Sequence, residues 1–121
     1  MSFSVLICDD SALARKSVRR CLPEELQENV TFAANGQEAV DYLQDNPTDL
    51  LFLDLTMPVL DGVGVLEAIK REKIEVFVIV ISGDVQPQMQ SRVRELGALD
   101  FISKPIDSER LTKVLQTFGL Y

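Results

Sequence analysis

The sequence contains no histidine, and this absence excludes several kinds of chemistry. A chain without imidazole cannot supply the base of a Ser–His–Asp triad or a histidine metal ligand. It also cannot carry a phosphohistidine of its own. Any metal site or reactive group in this protein must therefore use other side chains.

Cysteine is scarce, with one residue at Cys8 and one at Cys21. Cys8 lies in an apolar run typical of a strand. Cys21 lies near the end of a helical pattern, about 13 Å along the helix axis from its start. A disulfide needs Cα atoms within about 7 Å, so the spacing argues against a bond between them. We expect two buried thiols in a reducing compartment.

No charged and then apolar leader opens the chain, and no apolar run approaches about 18 residues. The formal net charge is −7, which disfavours binding to nucleic acid or to anionic lipid. The 121 residues are 46% hydrophobic, enough for one domain with a real core. We expect a soluble cytoplasmic protein that acts on neither nucleic acid nor membrane.

Apolar runs and helical patterns alternate five times along the chain. Strands are predicted over 2–7, 30–34, 49–54, 76–81 and 99–103. Helices are predicted over 12–22, 37–45, 63–72 and 87–96, with a last helix capped by Asp107 or Ser108 and burying Leu111, Val114, Leu115 and Phe118. Regular alternation with short loops indicates a parallel sheet with helices on both faces.

The third strand runs through four consecutive apolar residues into Asp54. Such a run is typical of a strand buried on both faces. Ligands of open parallel sheets bind at the carboxyl ends of the strands, where Asp54 lies. Taken alone, however, an acid at this place is more often a turn cap than a reacting group.

The other strand ends favour the reacting group. They carry acids, hydroxyls and a lysine: Asp9, Asp10, Asp54, Thr56, Ser82 and Lys104. If the strand order is 2-1-3-4-5, these ends meet in one cleft. Three clustered carboxylates repel one another unless a cation compensates, and Mg²⁺ suits such oxygen ligands. A carboxylate beside Mg²⁺ can accept a phosphoryl group.

The set of spaced motifs resembles the receiver domain of two-component response regulators, the CheY-like family. The matching residues are Asp9-Asp10, Asp54, Met57-Pro58, Asp61-Gly62, Ser82, Gly97-Ala98, Phe101 and Lys104-Pro105. The resemblance implies a doubly wound α/β fold with five parallel strands in the order 2-1-3-4-5, which is the order known for this family. It also implies that residues 1–121 form a single receiver domain.

The resemblance further implies a role for each site residue. Asp54 is the expected phosphoacceptor, and Lys104 and Ser82 are expected to bind the phosphoryl group. Asp9, Asp10, Asp54 and the backbone carbonyl of Thr56 are the expected Mg²⁺ ligands. Ser82 and Phe101 are the expected switch pair, the Lys104–Pro105 bond is expected to be cis, and Thr56 and Asp84 occupy positions that tune the phosphoryl lifetime.

The expected function is a signalling switch rather than an enzyme with an external substrate. A histidine kinase or a histidine phosphotransfer protein would phosphorylate Asp54, and the surface of helix four, strand five and helix five would then control a downstream protein or an output domain. The domain would be a monomer or a phosphorylation-dependent dimer. The basic face of the first helix, with Arg15, Lys16, Arg19 and Arg20, would be solvated or would dock a kinase.

Two alternatives belong to other functional classes. A metal-dependent phosphohydrolase would use Asp54 as its nucleophile, but it would need a substrate pocket and a cap, for which the loops are too short. A non-switching interaction module would lack an acid, the hydroxyl or the lysine of the set, and none of them is missing.

Overall fold

A computed structural model describes residues 3–83 and 86–121 of the chain. Within these residues five parallel strands form one sheet in the order β2-β1-β3-β4-β5, which confirms the predicted fold. The strands are β1 Val5–Cys8, β2 Val30–Ala33, β3 Leu50–Leu53, β4 Phe77–Ser82 and β5 Asp100–Ser103. The helices are α1 Ala12–Cys21, α2 Gly36–Asp45, α3 Gly62–Arg71, α4 Pro87–Glu95 and α5 Ser108–Thr117.

Each central strand is apolar throughout because both of its faces are covered. Side chains alternate between the two faces of a strand, so Val5 and Ile7 pack in the cluster that includes Val18 of α1 and Leu111 of α5. Leu6 of the same strand packs on the opposite face, against side chains of α2, α3 and α4. The two cores fix the height of every strand and therefore the position of every strand end.

Four of the helices begin directly after an N-cap residue. Ser11, Asn35, Asp61 and Asp107 each accept a hydrogen bond from a backbone N–H in the first turn of the following helix. The last helix is therefore capped by Asp107 rather than by Ser108. Pro87 occupies the first position of α4, where its missing N–H has no cost.

The sequence prediction for the end of α5 was wrong at Phe118. Phe118 was placed on the buried stripe, but it lies at the C-cap and 40% of it is exposed. The helix ends at Thr117, so the residue after it no longer follows the 3.6-residue period. A short 3₁₀ helix, Glu24–Leu26, lies between α1 and β2, where the sequence predicted neither a helix nor a strand, and it buries Leu26.

Strand and helix bounds otherwise differ from the predictions at their ends. The first strand begins at Val5 rather than at Ser2, which lies outside the described residues. Both cysteines are free thiols, as predicted, but only Cys8 is buried, and Cys21 is partly exposed because it lies at the last position of α1. In the part of the chain that is described, no helix has the length and apolar character needed to cross a bilayer.

Candidate functional site

The sheet register places two acids side by side. Cys8 of β1 pairs with Leu53 of β3, so the next residues, Asp9 and Asp54, follow at the same height. The Asp54 N–H donates to the Cys8 carbonyl at 3.0 Å, which extends the ladder to the acid itself. Adjacent strands lie about 4.8 Å apart. The proximity of Asp9 and Asp54 is therefore a consequence of strand pairing.

Asp10 joins these two acids in one cluster. Carboxylate oxygens of Asp9, Asp10 and Asp54 all lie within 4.8 Å of one another. Asp9 and Asp54 are buried, with 4% and 7% of each residue exposed, whereas Asp10 is exposed. The cluster is thus enclosed on the side of the sheet and open toward solvent at Asp10.

Lys104 brings positive charge to this cluster from β5. Its backbone N–H donates to the Ser82 carbonyl at 2.9 Å, and its bond to Pro105 is cis, as the resemblance implied. Its Nζ donates to Asp9 Oδ2 at 2.9 Å and lies 3.6 Å from Asp54 Oδ1. One ammonium group therefore contacts both buried carboxylates.

The cluster has three carboxylates and is contacted by the single ammonium of Lys104, and this imbalance shifts the pKa values of its members. Burial and the charge of Asp9 raise the pKa of Asp54, although Lys104 and a backbone hydrogen bond act in the opposite direction. Burial lowers the pKa of Lys104, but the hydrogen bond to Asp9 and the charge of Asp54 more than offset it, so the pKa is raised overall. Lys104 therefore remains charged, while Asp54 resists ionisation.

The structure places the remaining predicted residues at or near the same end of the sheet. Ser82 is buried at the end of β4, beside Ser103 of β5. Phe101 is buried in the core that packs under α2, α3 and α4. Thr56 is exposed, two residues beyond Asp54. Asp84, the expected lifetime residue, lies outside the described residues.

A glycine holds the loop after Asp54 against the strand. The Gly62 N–H donates to the Leu55 carbonyl at 3.0 Å. A Cβ on Gly62 would lie 2.5 Å from the Asp54 carbonyl oxygen, closer than any real Cβ contact. The close approach of the backbone therefore favours glycine at position 62, while Asp61 caps α3.

Sequence reasoning missed the inward contact of Arg15. It placed Arg15 on the basic outer face of α1, but the residue is half-buried and its Nη1 donates to the Asp9 carbonyl at 2.7 Å. Side chains in a helix point back toward its N-terminus, and α1 begins beside the acid cluster. The position of Arg15 in the first turns of α1 was the signal that could have revealed this contact.

Cys8 lies beside the cluster but does not have the chemistry of a reactive thiol. Its Sγ contacts the Asn35 carbonyl and Met57 Sδ, both at 3.4 Å. Burial and the nearby carboxylates raise the pKa of Cys8 to about 12. A thiol in this state is neutral at physiological pH, so the candidate reacting groups are the carboxylates.

The donor set fits Mg²⁺. Three carboxylates that converge within 4.8 Å provide hard oxygen ligands, and the exposed Asp10 leaves an open side for water or a phosphoryl oxygen. The net negative charge of the cluster, with Lys104 as its contacting cation, requires more positive charge.

Comparison with known proteins identifies the family of this chain. A family model described as "Response regulator receiver domain" matches residues 5–116. The chain belongs to this family. The receiver domain is 33% identical over 115 residues to the chemotaxis protein CheY of Bacillus subtilis, a match that covers 95% of this chain and 96% of that one.

Solved structures show the same fold. The receiver domain superposes on a chain of the CheX-CheY-BeF3-Mg+2 complex from Borrelia burgdorferi with a TM-score of 0.88 and 32% sequence identity, covering 98% of this chain and 90% of that one. Other relatives are longer. A protein-glutamate methylesterase/protein-glutamine glutaminase of Treponema pallidum is 38% identical over 109 residues, which are 88% of this chain and 27% of that protein.

The raised pKa of Asp54 predicts that its ionisation destabilises the fold when no metal is added. A raised folded-state pKa means that this contribution to stability is present below the ordinary carboxyl pKa of about 3.9 and is lost as pH rises through the folded-state value. At pH 7 in a chelator, Asp54→Asn should therefore unfold at a higher urea concentration than the wild type. The gain should shrink as pH falls toward 4.

The exposed Asp45 provides a control for net charge. Asp45→Asn removes the same charge far from the cluster and should have a smaller effect. Added Mg²⁺ should stabilise the wild type and narrow its difference from Asp54→Asn. An Asp54→Asn protein that is no more stable than Asp45→Asn at pH 7 would contradict this electrostatic account.

Proposed function

We propose that this receiver domain is a phosphorylation-activated switch and that Asp54 is its phosphoacceptor. The observation that carries the proposal is the position of Lys104 Nζ, 2.9 Å from one oxygen of Asp9 and 3.6 Å from one of Asp54. An ammonium at this place can neutralise charge on a phosphoryl group attached to Asp54. Turn-capping acids alone would not require a lysine contributed by another strand.

The proposed reaction is a transfer from phosphohistidine to carboxylate. An Asp54 carboxylate oxygen forms a bond to phosphorus, and the bond between phosphorus and the donor imidazole nitrogen breaks. The electron pair stays on that nitrogen, which takes up a proton. The product is an acyl phosphate on Asp54, and its later hydrolysis returns the carboxylate and inorganic phosphate.

The proposed metal is Mg²⁺, held by Asp9, Asp10, Asp54 and the backbone carbonyl of Thr56. When bound, it would neutralise the carboxylates and offer a ligand position to a phosphoryl oxygen. Lys104 and the Ser82 hydroxyl are the groups of this chain that would bind the remaining phosphoryl oxygens. The convergence of three carboxylates supports this assignment.

The proposed donor is a histidine kinase or a histidine phosphotransfer protein, because this chain has no histidine of its own. The protein is a signalling domain, and we infer that the only reactions it catalyses are its own phosphorylation and dephosphorylation. We further propose that residues 1–121 act as one receiver unit, alone or attached to an output domain, as a monomer or a phosphorylation-dependent dimer. The free thiols are consistent with a cytoplasmic location.

The proposed switch joins the phosphoryl group to the surface formed by α4, β5 and α5. Ser82 ends β4 and accepts a backbone hydrogen bond from Lys104, while Phe101 is buried one strand away in β5. A phosphoryl group that draws the Ser82 hydroxyl and the Lys104 ammonium toward Asp54 would bias the conformation of both strand ends. Phe101 packing is the means by which this change would reach α4.

The acceptor assignment predicts one phosphoryl group per chain. Incubation with phosphoramidate and Mg²⁺, followed by intact-mass measurement and peptide mapping, should place it on Asp54. Asp54→Asn should abolish the product because the acceptor oxygen is lost, and excess EDTA should abolish it in the wild type. Asp45→Asn is the matched control and should be labelled like the wild type. A purified, autophosphorylated histidine kinase domain used as a second donor should label the same residue.

Two results would defeat the acceptor assignment. One is undiminished labelling of Asp54→Asn, and the other is labelling that proceeds equally well in EDTA. Sustained hydrolysis of an added phosphate monoester such as p-nitrophenyl phosphate would instead favour a phosphohydrolase.

The switch assignment predicts that phosphorylation changes structure beyond the site. Amide chemical shifts of the Mg²⁺-loaded domain should move at Phe101 and in α4 and α5 when phosphoramidate is added. Residues at the amino ends of the strands, such as Glu75, should not move. Shifts confined to the neighbours of Asp54 would contradict a switch and indicate a passive phosphoryl carrier.

A further inference from the structure

Arg15 contacts the backbone between the two neighbouring acids. Its Nη1 donates to the Asp9 carbonyl oxygen at 2.7 Å, the shortest distance that Asp9 makes to any partner among the described residues. That carbonyl belongs to the peptide plane that joins Asp9 to Asp10. Because a peptide unit is planar, a restraint on its oxygen also restrains the Asp10 N–H and the position of the Asp10 Cα, from which that side chain leaves the backbone.

The other polar atoms of Asp9 are also held. Its N–H donates to the Ala33 carbonyl at 3.1 Å. Its Oδ1 accepts from the Ser11 N–H at 2.9 Å, and its Oδ2 accepts from Lys104 Nζ at 2.9 Å. Arg15 thus completes a set of four partners, and its contact is the one that acts on the link to Asp10.

Arg15 is itself held in place on two sides. Its backbone N–H donates to the Ser11 carbonyl at 3.0 Å in the first turn of α1. Its guanidinium carbon lies 5.8 Å from the ring centre of Phe32, a side chain of the edge strand β2. The ring face supports the guanidinium by a cation–π contact and limits its movement away from Asp9.

Stability alone is a poor explanation for this arrangement. Arg15 Nε is buried and meets no acceptor among the described residues, which costs free energy relative to a solvated guanidinium. The Arg15 guanidinium also adds positive charge near a site that is expected to bind a cation, where it would oppose binding of the ion. An arginine that leaves Nε without an acceptor and opposes cation binding is better explained by the geometry that it imposes.

We propose that Arg15 is a positioning residue for divalent-cation binding, through which the Asp9–Asp10 peptide is held so that the two carboxylates point to one ion. The inference rests on the proposed metal function of Asp9, Asp10 and Asp54. Phe32 contributes by supporting the guanidinium. Arg15 touches neither the acceptor carboxylate nor its ammonium partner among the contacts described for this chain, so its effect passes through the backbone of Asp9.

Electrostatics and positioning predict opposite signs for the loss of Arg15. If Arg15 acted only through its charge, its removal would reduce repulsion and tighten Mg²⁺ binding. If it positions the acids, its removal should weaken Mg²⁺ binding by about tenfold, at the low end of the range for groups that orient metal ligands. The sign of the change in affinity therefore separates the two roles.

The test is isothermal titration calorimetry of Mg²⁺ into the wild type and into Arg15→Met, with urea unfolding of each apo protein in parallel. Methionine keeps an apolar stem over Phe32 and removes the donors. Arg15→Lys, which keeps the charge and an ammonium donor, should bind Mg²⁺ with intermediate affinity. If Arg15→Met does not fold, Arg15→Lys takes its place, and weaker binding than the wild type is then expected.

Arg19→Met is the matched control. Arg19 lies one turn further along α1, and its Nη2 also donates to a backbone carbonyl, that of Gln27 at 2.9 Å, but this carbonyl is remote from the acids. Its removal should leave Mg²⁺ affinity within about twofold of the wild type. The pair therefore separates loss of an arginine–carbonyl bond in general from loss of the bond to Asp9.

The outcomes separate this inference from the function on which it rests. A wild type that binds one Mg²⁺ and an Arg15→Met protein that binds about tenfold more weakly support the positioning role. Equal or tighter binding by a folded Arg15→Met overturns that role and leaves the proposed switch intact. A wild type that binds no Mg²⁺ overturns the metal function itself.

Discussion

The charge imbalance at the carboxyl end of the sheet is the constraint on which the site depends. Asp9, Asp10 and Asp54 converge within 4.8 Å, and Lys104 contacts the two that are buried. Carboxylates at this separation repel one another unless positive charge is added or a proton is taken up, and burial together with the charge of Asp9 raises the pKa of Asp54, which favours proton uptake. Mg²⁺ would supply the added positive charge, and a phosphoryl group on Asp54 would change the charge balance again.

This imbalance is maintained by the sheet and not by a flexible loop. The pairing of Cys8 with Leu53 places Asp9 beside Asp54, and the pairing of Ser82 with Ser103 places Lys104 at the same end. Two apolar cores fix these strands. Separating Asp9 from Asp54 would require breaking the strand ladder, so the repulsion between these two carboxylates stays in the folded state. A site with this repulsion can respond to one bound ion or one covalent charge.

The parallel sheet could be predicted from repeated patterns in the sequence. The strand order 2-1-3-4-5, on which the convergence of the acids depends, came instead from the resemblance to the receiver family. Apolar runs that end in acids fix the strand ends, and alternation with helices fixes the parallel arrangement. The directions of side chains near helix ends were harder to predict from the sequence. Phe118 fits the periodic stripe but lies beyond the last helical residue, and Arg15 fits the basic outer face but folds back to the Asp9 carbonyl. Periodicity describes the middle of a helix better than its ends.

The most direct test of the central claim is the Mg²⁺ affinity of Asp10→Asn. Asp10 is the exposed acid of the cluster, so its replacement removes a ligand without removing either carboxylate that contacts Lys104. Calorimetry should show one Mg²⁺ per wild-type chain and binding at least about tenfold weaker in Asp10→Asn. Binding of equal strength in the two proteins, or no binding to the wild type, would contradict the account of the three acids as one metal site.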